Sequence, residues 1–255
     1  MSRRPRAAAA YNDRVSFSIR AITLDLDDTL WPFPPIGERI ERVLDDWFRT
    51  HSPRTAELFP IPAMRRLREE VIARHPRQAH DASWLRRRGI EIALAESGGD
   101  PALADAAYAA FHSERNRVEF YAEARDALAR VAARVPLCAL TNGNADLDAI
   151  GIGHLFAHRL SARQFGSGKP DAAIFHHACA LLGTDPADTL HVGDDVDSDI
   201  VGAAHAGLRT CWIRREDNRH VQWPARPIHP DLIVPDLAAL AQRLEAHAHR
   251  ETSQP

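Results

Sequence analysis

One short segment near the start of this chain brings together the side chains best suited to chemistry. The apolar run Ala21-Ile22-Thr23-Leu24 is followed closely by Asp25, Asp27, Asp28 and Thr29. Such a run predicts a buried strand. Carboxylates crowded at a strand end repel one another and lose solvation, so packing alone does not favour them. A divalent cation relieves this conflict because hard cations bind carboxylate oxygens, and the pattern therefore predicts a metal-assisted nucleophilic site.

A second candidate for chemistry is Lys169, in the segment Gly166-Ser167-Gly168-Lys169-Pro170-Asp171. It is the only lysine among the 32 lysine and arginine residues. A bias toward arginine would leave one lysine anywhere on the surface. The interpretation that we favour is that this position needs a compact point charge, which a planar guanidinium replaces poorly. The flanking glycines and proline predict a turn or loop.

The elements that must position these residues alternate between strands and helices. After the first strand, we predict strands at Pro136–Thr141, Ala157–Ser161, Leu190–Val192, Thr210–Ile213 and Leu232–Val234, and helices at Ala145–Ile150, Asp171–Leu182, Ser198–Ala206 and from Val234 to about Ala248. Strands interleaved with helices indicate parallel pairing with right-handed crossovers. The expected fold is a doubly wound, Rossmann-like α/β core.

The long segment between the first two strands has a different pattern. Apolar residues such as Ile36, Ile40 and Leu44 recur at helical spacing, four helices are predicted, and no strand is. The predicted organisation is a disordered extension over 1–18, a catalytic core over 19–31 and 119–249, an inserted all-α helical cap over 32–118 and a disordered tail over 250–255.

Polar segments follow three of the predicted strands. They are Asp25–Thr29, Thr141-Asn142-Gly143-Asn144 and Gly193-Asp194-Asp195. Ligands of open α/β sheets bind outside the carboxyl ends of the strands. We therefore expect these three segments and Lys169 to form one site.

Composition restricts the function classes. With 45% hydrophobic and 26% charged residues the chain is typical of a soluble globular protein, and a net charge of −3 gives no nucleic-acid footprint. Cys138, Cys179 and Cys211 have no metal spacing and are interpreted as reduced core residues. No apolar run approaches the roughly 20 residues of a membrane span. We expect a cytoplasmic protein that binds neither nucleic acid nor membrane.

Four ordered motifs give the chain a resemblance to the haloacid dehalogenase-like hydrolase superfamily, and the helical insert resembles the cap of its subfamily I. The motifs are Asp25–Thr29, Leu140–Asn144, Gly168–Asp171 and His191–Asp199. More narrowly, Thr141–Asn144, His191–Asp195 and Cys211–Arg214 are similar to bacterial phosphatases that act on flavin mononucleotide and on 5-amino-6-(5-phosphoribitylamino)uracil.

The resemblance implies catalytic roles. Asp25 would attack phosphorus and form an aspartyl-phosphate, and Asp27 would act as general acid and base. Thr141 through its hydroxyl, Asn142 through its backbone amide, and Lys169 would hold the phosphoryl oxygens, the part of phosphoryl transfer on which rate depends most.

The resemblance also implies a magnesium site. Asp25, the backbone carbonyl of Asp27 and Asp194 would be the protein ligands of Mg²⁺, which prefers oxygen ligands and few carboxylates. Asp199, with Asp195 as a further candidate, would orient those ligands from behind.

Other polar residues have competing interpretations. Asp28 is expected to be structural, and Thr29 is as readily a turn residue as a functional one. Asp197 is expected to be a helix N-cap or first-turn acid, and His191 a packing residue.

The aromatic and basic residues in and near the insert each have two possible roles. Trp31 and Phe33 would either stack on an aromatic substrate or wedge the linker against the cap. We expect two groups of arginines, Arg65-Arg66 and Arg86-Arg87-Arg88, to lie mainly on solvated faces. The alternative is that they contact an anionic substrate.

The favoured function is a Mg²⁺-dependent phosphatase that hydrolyses a small phosphate ester, as a monomer or a homodimer. A phosphomutase on the same core is the first alternative, although such enzymes often use a cap lysine and this cap has none. A haloacid dehalogenase needs no metal and lacks the Asp27 carboxylate. A non-catalytic phosphometabolite-binding regulator is the remaining alternative.

Overall fold

Six parallel strands form the centre of the protein, in the order β3-β2-β1-β4-β5-β6. The computed structural model describes residues 18–216, 223 and 227–251, so most of the two predicted disordered ends lies outside it. The strands are β1 Ala21–Leu24, β2 Leu137–Thr141, β3 His158–Ser161, β4 Thr189–Gly193, β5 Arg209–Ile213 and β6 Leu232–Val234. Each predicted strand is present, and the predicted parallel sheet is confirmed.

Helices cover both faces of this sheet. On one face, α6 (Ala124–Ala132) and α11 (Leu237–Glu251) share an apolar core with β1, and on the other α9 (Ala172–Leu182) and α10 (Gly202–His205) share one with β2. Every residue of β1 is buried. Burial on both faces explains why β1 is a continuous apolar run rather than an alternating one.

The helical cap is inserted between β1 and α6, as predicted. Five helices form it where four were predicted: α1 Phe33–His51, α2 Pro53–Leu58, α3 Ile61–Arg74, α4 Ala82–Ser97 and α5 Ala104–Arg115. It has a core of its own, which includes Phe48, Val71 and Ile90. The additional helix α2 has six residues, too few for a helical period to show in the sequence.

Several boundaries differ from the predictions for local reasons. Helix α1 begins at Phe33 because Pro34 and Pro35 fit a first helical turn, whose N–H groups have no helical partner. The predicted helix at Ser198–Ala206 starts earlier, as a π-helical turn over Val196–Val201. Helix α6 was not predicted.

Two chain segments connect the cap to the sheet, and both are tied at their base. The backbone N–H of Tyr121 donates to the carbonyl of Leu30 at 3.0 Å. Arg215, which is buried just after β5, donates to the carbonyl of Thr29 at 2.7 Å and to the Glu123 carboxylate at 2.9 Å. One arginine therefore joins the outgoing segment to the returning one.

The remaining small elements are α7 Leu147–Ile150, α8 Ala162–Phe165 and four short 3-10 helices. Cys138, Cys179 and Cys211 are free and buried, as predicted. Among the helices of the described residues, none has the length and apolar character needed to cross a bilayer.

Candidate active site

Three neighbouring strand ends converge at one edge of the sheet. Thr141 ends β2, Asp25 follows β1, and Asp194 follows β4. The backbone N–H of Asp25 donates to the carbonyl of Val192 at 2.9 Å, which continues the β1–β4 ladder by one residue. Since β1 has β2 on one side and β4 on the other, this edge is the topological switch point, where α/β sheets bind ligands.

Asp25, Asp194 and Asp199 form a carboxylate cluster at this edge. Oxygens of the three side chains lie within 4.8 Å of one another. Burial raises the pKa of Asp194 to about 9, and the charges of Asp25 and Asp199 add to the effect. Burial also raises the pKa of Asp25, although the charge of Lys169 opposes it. The cluster carries more negative charge than its protein surroundings neutralise.

Lys169 is the cation of this cluster. Its buried ammonium lies 2.5 Å from an oxygen of Asp25 and 2.6 Å from one of Asp199. Burial disfavours the charge, but the two carboxylates outweigh burial and raise the pKa of Lys169. The lysine singled out from composition therefore lies beside the first candidate nucleophile.

Both carboxylate oxygens of Asp199 have hydrogen-bond partners in the protein. One oxygen accepts from Lys169 and from His191, whose Nε2 lies 3.1 Å away, and the other accepts from the backbone N–H of Asp195. Burial favours the neutral carboxyl, yet the charge of Lys169 and the His191 hydrogen bond lower the pKa of Asp199. Burial lowers the pKa of His191, so the neutral ring donates to Asp199 and accepts from the Thr23 hydroxyl at 2.8 Å.

The cluster fits a hard divalent cation. Both oxygens of Asp199 already have partners, whereas Asp194 has one long contact of 3.3 Å from the Thr29 hydroxyl, which also lies 3.4 Å from Asp25. Oxygen is the ligand atom that Mg²⁺ prefers. Asp25 and Asp194 are therefore the side chains suited to bind a cation, with Asp199 behind them.

The segment after β2 fixes the position of Lys169. The Asn142 side chain donates to the carbonyl of Lys169 and accepts from its N–H, each at 2.8 Å. The Thr141 hydroxyl oxygen accepts from the backbone N–H of Gly143 at 2.9 Å, which leaves the hydroxyl proton available to a ligand.

Asp27 is turned toward the cap. Its two oxygens accept from Nη2 of Arg115 at 2.8 and 2.7 Å, and the indole N–H of Trp31 donates to one of them at 2.7 Å. Arg115 lies at the end of α5, with its side chain 2% exposed. A Cβ on Gly143 would come within 2.9 Å of an Asp27 oxygen, so a residue without a side chain is needed there.

Arg115 was not predicted, and no sequence signal distinguished it. It lies in Ser113-Glu114-Arg115-Asn116-Arg117. In a chain whose basic residues are arginine at all positions but one, another arginine at a helix end carries no information. Its contact with Asp27 depends on the packing of the cap.

The contacts of Trp31 and Asp28 decide between their competing interpretations. Trp31 is fully buried, edge-on to Phe120 and bonded to Asp27, so it is structural rather than a stacking surface. Asp28 is also structural, as predicted: it has a φ of 58° and accepts from the backbone N–H of Phe33.

The acidic residues that follow β4 have different structural roles. The Asp195 carboxylate is the N-cap of the following helical turn and accepts from the N–H groups of Asp197 and Ser198. Asp197 is a first-turn acid, one of its two predicted roles. Asp195 contacts the carboxylate cluster through its backbone N–H to Asp199 and not through its side chain.

A cavity of about 230 Å³, the cap cavity, lies between the helical cap and this edge of the sheet. Asp27, Asn142, Gly143 and Asn144 line it from the core, and Phe33, Ile40, Arg68, Ile72, Ala79, Ala82, Leu85, Arg86, Phe111 and Arg115 line it from the cap.

Comparison with known proteins identifies the family. Residues 19–207 match the haloacid dehalogenase-like hydrolase family. The chain belongs to this family. The matched residues include all four motifs quoted above and the whole helical cap.

Several known proteins are similar to most of this chain. The 5-amino-6-(5-phospho-D-ribitylamino)uracil phosphatase YigB of Escherichia coli (strain K12) is 35% identical over 87% of this chain and 94% of its own. A phosphoserine phosphatase of Thermus thermophilus is 31% identical over 86% of this chain and 96% of its own. The crystal structure of a 2-haloacid dehalogenase from Pseudomonas syringae pv. Tomato DC3000 is 33% identical, with a TM-score of 0.82 over 90% of this chain and 99% of that one.

Proposed function

We propose that this protein is a Mg²⁺-dependent phosphatase that hydrolyses a small phosphorylated metabolite through an aspartyl-phosphate on Asp25. The observation that carries the proposal is the placement of Asp25 and Asp194 at adjacent strand ends with Lys169 2.5 Å from Asp25. The curated relatives described above are phosphatases by name, which supports the same reaction class.

Asp25 would attack the phosphorus atom in line and displace the alkoxide. Lys169 and the Thr141 hydroxyl, with the backbone N–H of Asn142, would bind the oxygens of the phosphoryl group as charge redistributes. Positioning and charge stabilisation of this kind supply most of the catalysis of phosphoryl transfer. Asn142 would contribute twice, since its side chain also fixes the backbone of Lys169.

Asp27 would give a proton to the departing alkoxide and later take one from the water that hydrolyses the aspartyl-phosphate. Arg115 and Trp31 fix the direction of its carboxylate. Asp25, Asp194 and the backbone carbonyl of Asp27 would hold Mg²⁺, which when bound neutralises charge on the transferring group.

Turnover of p-nitrophenyl phosphate with Mg²⁺, and after its removal by EDTA, tests the proposal. We expect hydrolysis that needs the metal and that Asp25→Asn abolishes while the thermal unfolding temperature stays near the wild-type value. Metal-independent hydrolysis, none on a broad panel of esters, or appreciable activity of Asp25→Asn would overturn it.

The substrate that the sequence resemblance and the E. coli relative favour is a phosphate ester of riboflavin synthesis. A metabolite panel that contains 5-amino-6-(5-phosphoribitylamino)uracil and flavin mononucleotide, with kcat/KM measured for each, tests this choice directly.

The similar dehalogenase structure makes carbon–halogen hydrolysis a second candidate. That reaction needs a nucleophilic carboxylate but neither a metal nor an acid for the leaving halide. The carboxylate of Asp27, held by two donors, has no role in it. We expect no chloride release from 2-chloropropionate, and metal-independent release would favour dehalogenation instead.

A further inference from the structure

The cap cavity extends from the general acid proposed above to two arginines of the cap. A general acid must lie within hydrogen-bond reach of the oxygen that leaves. Asp27 lines the cap cavity, and a larger cavity of about 560 Å³ beside β2 and β3 does not include it. On the proposed function, therefore, the leaving group of the substrate lies in the cap cavity.

Arg86 of α4 is a cation that lines this cavity. Its guanidinium lies over the ring of Phe111, 4.6 Å from the centroid. Burial, and then the charge of Arg68, lower the pKa of Arg86 to about 10, so it remains charged at neutral pH. Within the described part of the chain no carboxylate forms an ion pair or hydrogen bond with Arg86.

The neighbouring arginines of the cap, in contrast, form ion pairs with carboxylates. Arg87 forms ion pairs with Glu91 and Asp105, and Arg88 forms one with Glu91. Glu41, the acid with most influence on Arg86, is itself bonded to Arg65 through three contacts.

Arg68 of α3 is the second cation of the cavity. Arg68 also has no ion pair or hydrogen bond among the residues that the structure describes. Its positive charge repels that of Arg86. Arg68 is exposed and Arg86 is half-buried, so the two like charges repel each other and Arg86 also loses hydration. A ligand with acceptor oxygens relieves both costs. One guanidinium matches the two oxygens of a carboxylate in one plane, whereas the two carbonyls of an imide would need one arginine each.

We propose that the leaving group of the substrate ends in paired acceptor oxygens, a carboxylate or the two carbonyls of an imide, which Arg86 and Arg68 bind. Its apolar part would contact Phe33 and Phe111, which line the same cavity. A volume of about 230 Å³ is below the roughly 300–1,000 Å³ of typical pockets for drug-sized ligands. An open-chain or single-ring leaving group fits this volume better than a three-ring flavin does.

Three esters separate the features of this proposal. Phenyl phosphate has no acceptor edge, O-phosphoserine ends in a carboxylate, and 5-amino-6-(5-phosphoribitylamino)uracil ends in an imide. The value of kcat/KM is measured for each ester with the wild type, Arg86→Met, Arg68→Met and the control Arg88→Met, which removes a paired arginine of the same helix that does not line the cavity.

We expect Arg86→Met to lower kcat/KM about 10- to 100-fold for at least one acceptor-bearing ester, and less than about twofold for phenyl phosphate. The ester that loses most identifies the acceptor as carboxylate or imide. Arg68→Met should act on the same ester, Arg86→Lys should retain part of the activity, and Arg88→Met should match the wild type. Retained phenyl phosphate turnover also shows that each variant folds.

Equal losses on all three esters, or no loss on any, would overturn this inference while leaving the proposed function intact. A wild-type protein that hydrolyses no ester would overturn both.

Discussion

Arg115 and Asp27 are 88 residues apart in sequence, and the guanidinium of the first contacts both carboxylate oxygens of the second, at 2.8 and 2.7 Å. The arginine belongs to the helical cap and the aspartate to the loop after β1. The orientation of the proposed general acid is thus set by a residue of the other structural unit. Arg115 acts through Asp27 and is a positioning residue.

Arg115→Met should lower turnover, and by more for esters with poor leaving groups. An alkyl phosphate needs a proton on its departing oxygen, whereas p-nitrophenolate leaves without one. Since a positioned acid contributes about 10²–10⁴-fold, we expect a loss of at least about tenfold in kcat for an alkyl phosphate and a smaller loss for p-nitrophenyl phosphate.

The Asp27→Asn variant gives the reference pattern for this prediction. If both substitutions act on one step, the double variant should be little worse than Asp27→Asn alone. Equal losses of kcat on the two esters, or fully additive effects, would show that Arg115 serves the fold and not the acid.

The carboxylate cluster predicts an effect of Mg²⁺ on stability. Because Asp25, Asp194 and Asp199 repel one another around one lysine, Asp194→Asn should leave the metal-free protein at least as stable as the wild type. Mg²⁺ should raise the unfolding temperature of the wild type and do so much less in Asp194→Asn.

Thermal unfolding followed with and without Mg²⁺ measures both effects. Asp126→Asn is the matched control because it removes the same charge at an exposed position outside the cluster. A Mg²⁺ shift in Asp194→Asn as large as in the wild type would count against this site.

Asn142→Ala should weaken the hold on Lys169. Two hydrogen bonds of 2.8 Å to the backbone of Lys169 are lost, which should cost about 1 kcal/mol of stability each. The free energy of unfolding and the inhibition constant of vanadate measure the outcome. A structural role alone would change stability and leave vanadate binding intact, whereas we expect binding to weaken as well.

Gly193→Ala should disturb the site through Asp199. A Cβ at residue 193 would lie 2.2 Å from an Asp199 oxygen, between the end of β4 and a carboxylate that holds Lys169. Overpacking of this kind costs about 1–3 kcal/mol, and we expect turnover to fall with it.

Gly89→Ala is the matched control for this substitution. It lies inside α4, and a Cβ there meets nothing within 4 Å. Alanine should therefore stabilise this helix by about 0.5–1 kcal/mol. Urea unfolding and turnover of both variants test the pair, and a Gly193→Ala variant with wild-type activity would refute the argument.

Much of this site followed from sequence because it depends on local order. Asp25 and Asp194 each come after a predicted strand and Thr141 ends one, and parallel strands bring their carboxyl ends to one edge. Lys169 stood out by composition. The period of its apolar residues predicts the helical cap, whereas α2 is too short to show a period and α6 is not predicted.

The cap residues of the site could not be predicted in the same way. Arg115 and Arg86 have neighbours of the same type in sequence, and only the packing of α4 and α5 distinguishes the buried ones from the solvated ones. The prediction of solvated faces holds for Arg87 and Arg88 and is wrong for Arg86, which lines the cap cavity.

The tie between Arg215, Thr29 and Glu123 has a consequence for how substrate enters. Sliding of the cap along the strand ends would break the hydrogen bonds of Arg215, whereas a rotation about the two connecting segments would leave them in place. Such a rotation would also separate Arg115 from Asp27, because the two residues belong to different structural units. On the proposed function, entry of the ester by this route would release the proposed proton donor from its partner, and closing the cap would restore the contact.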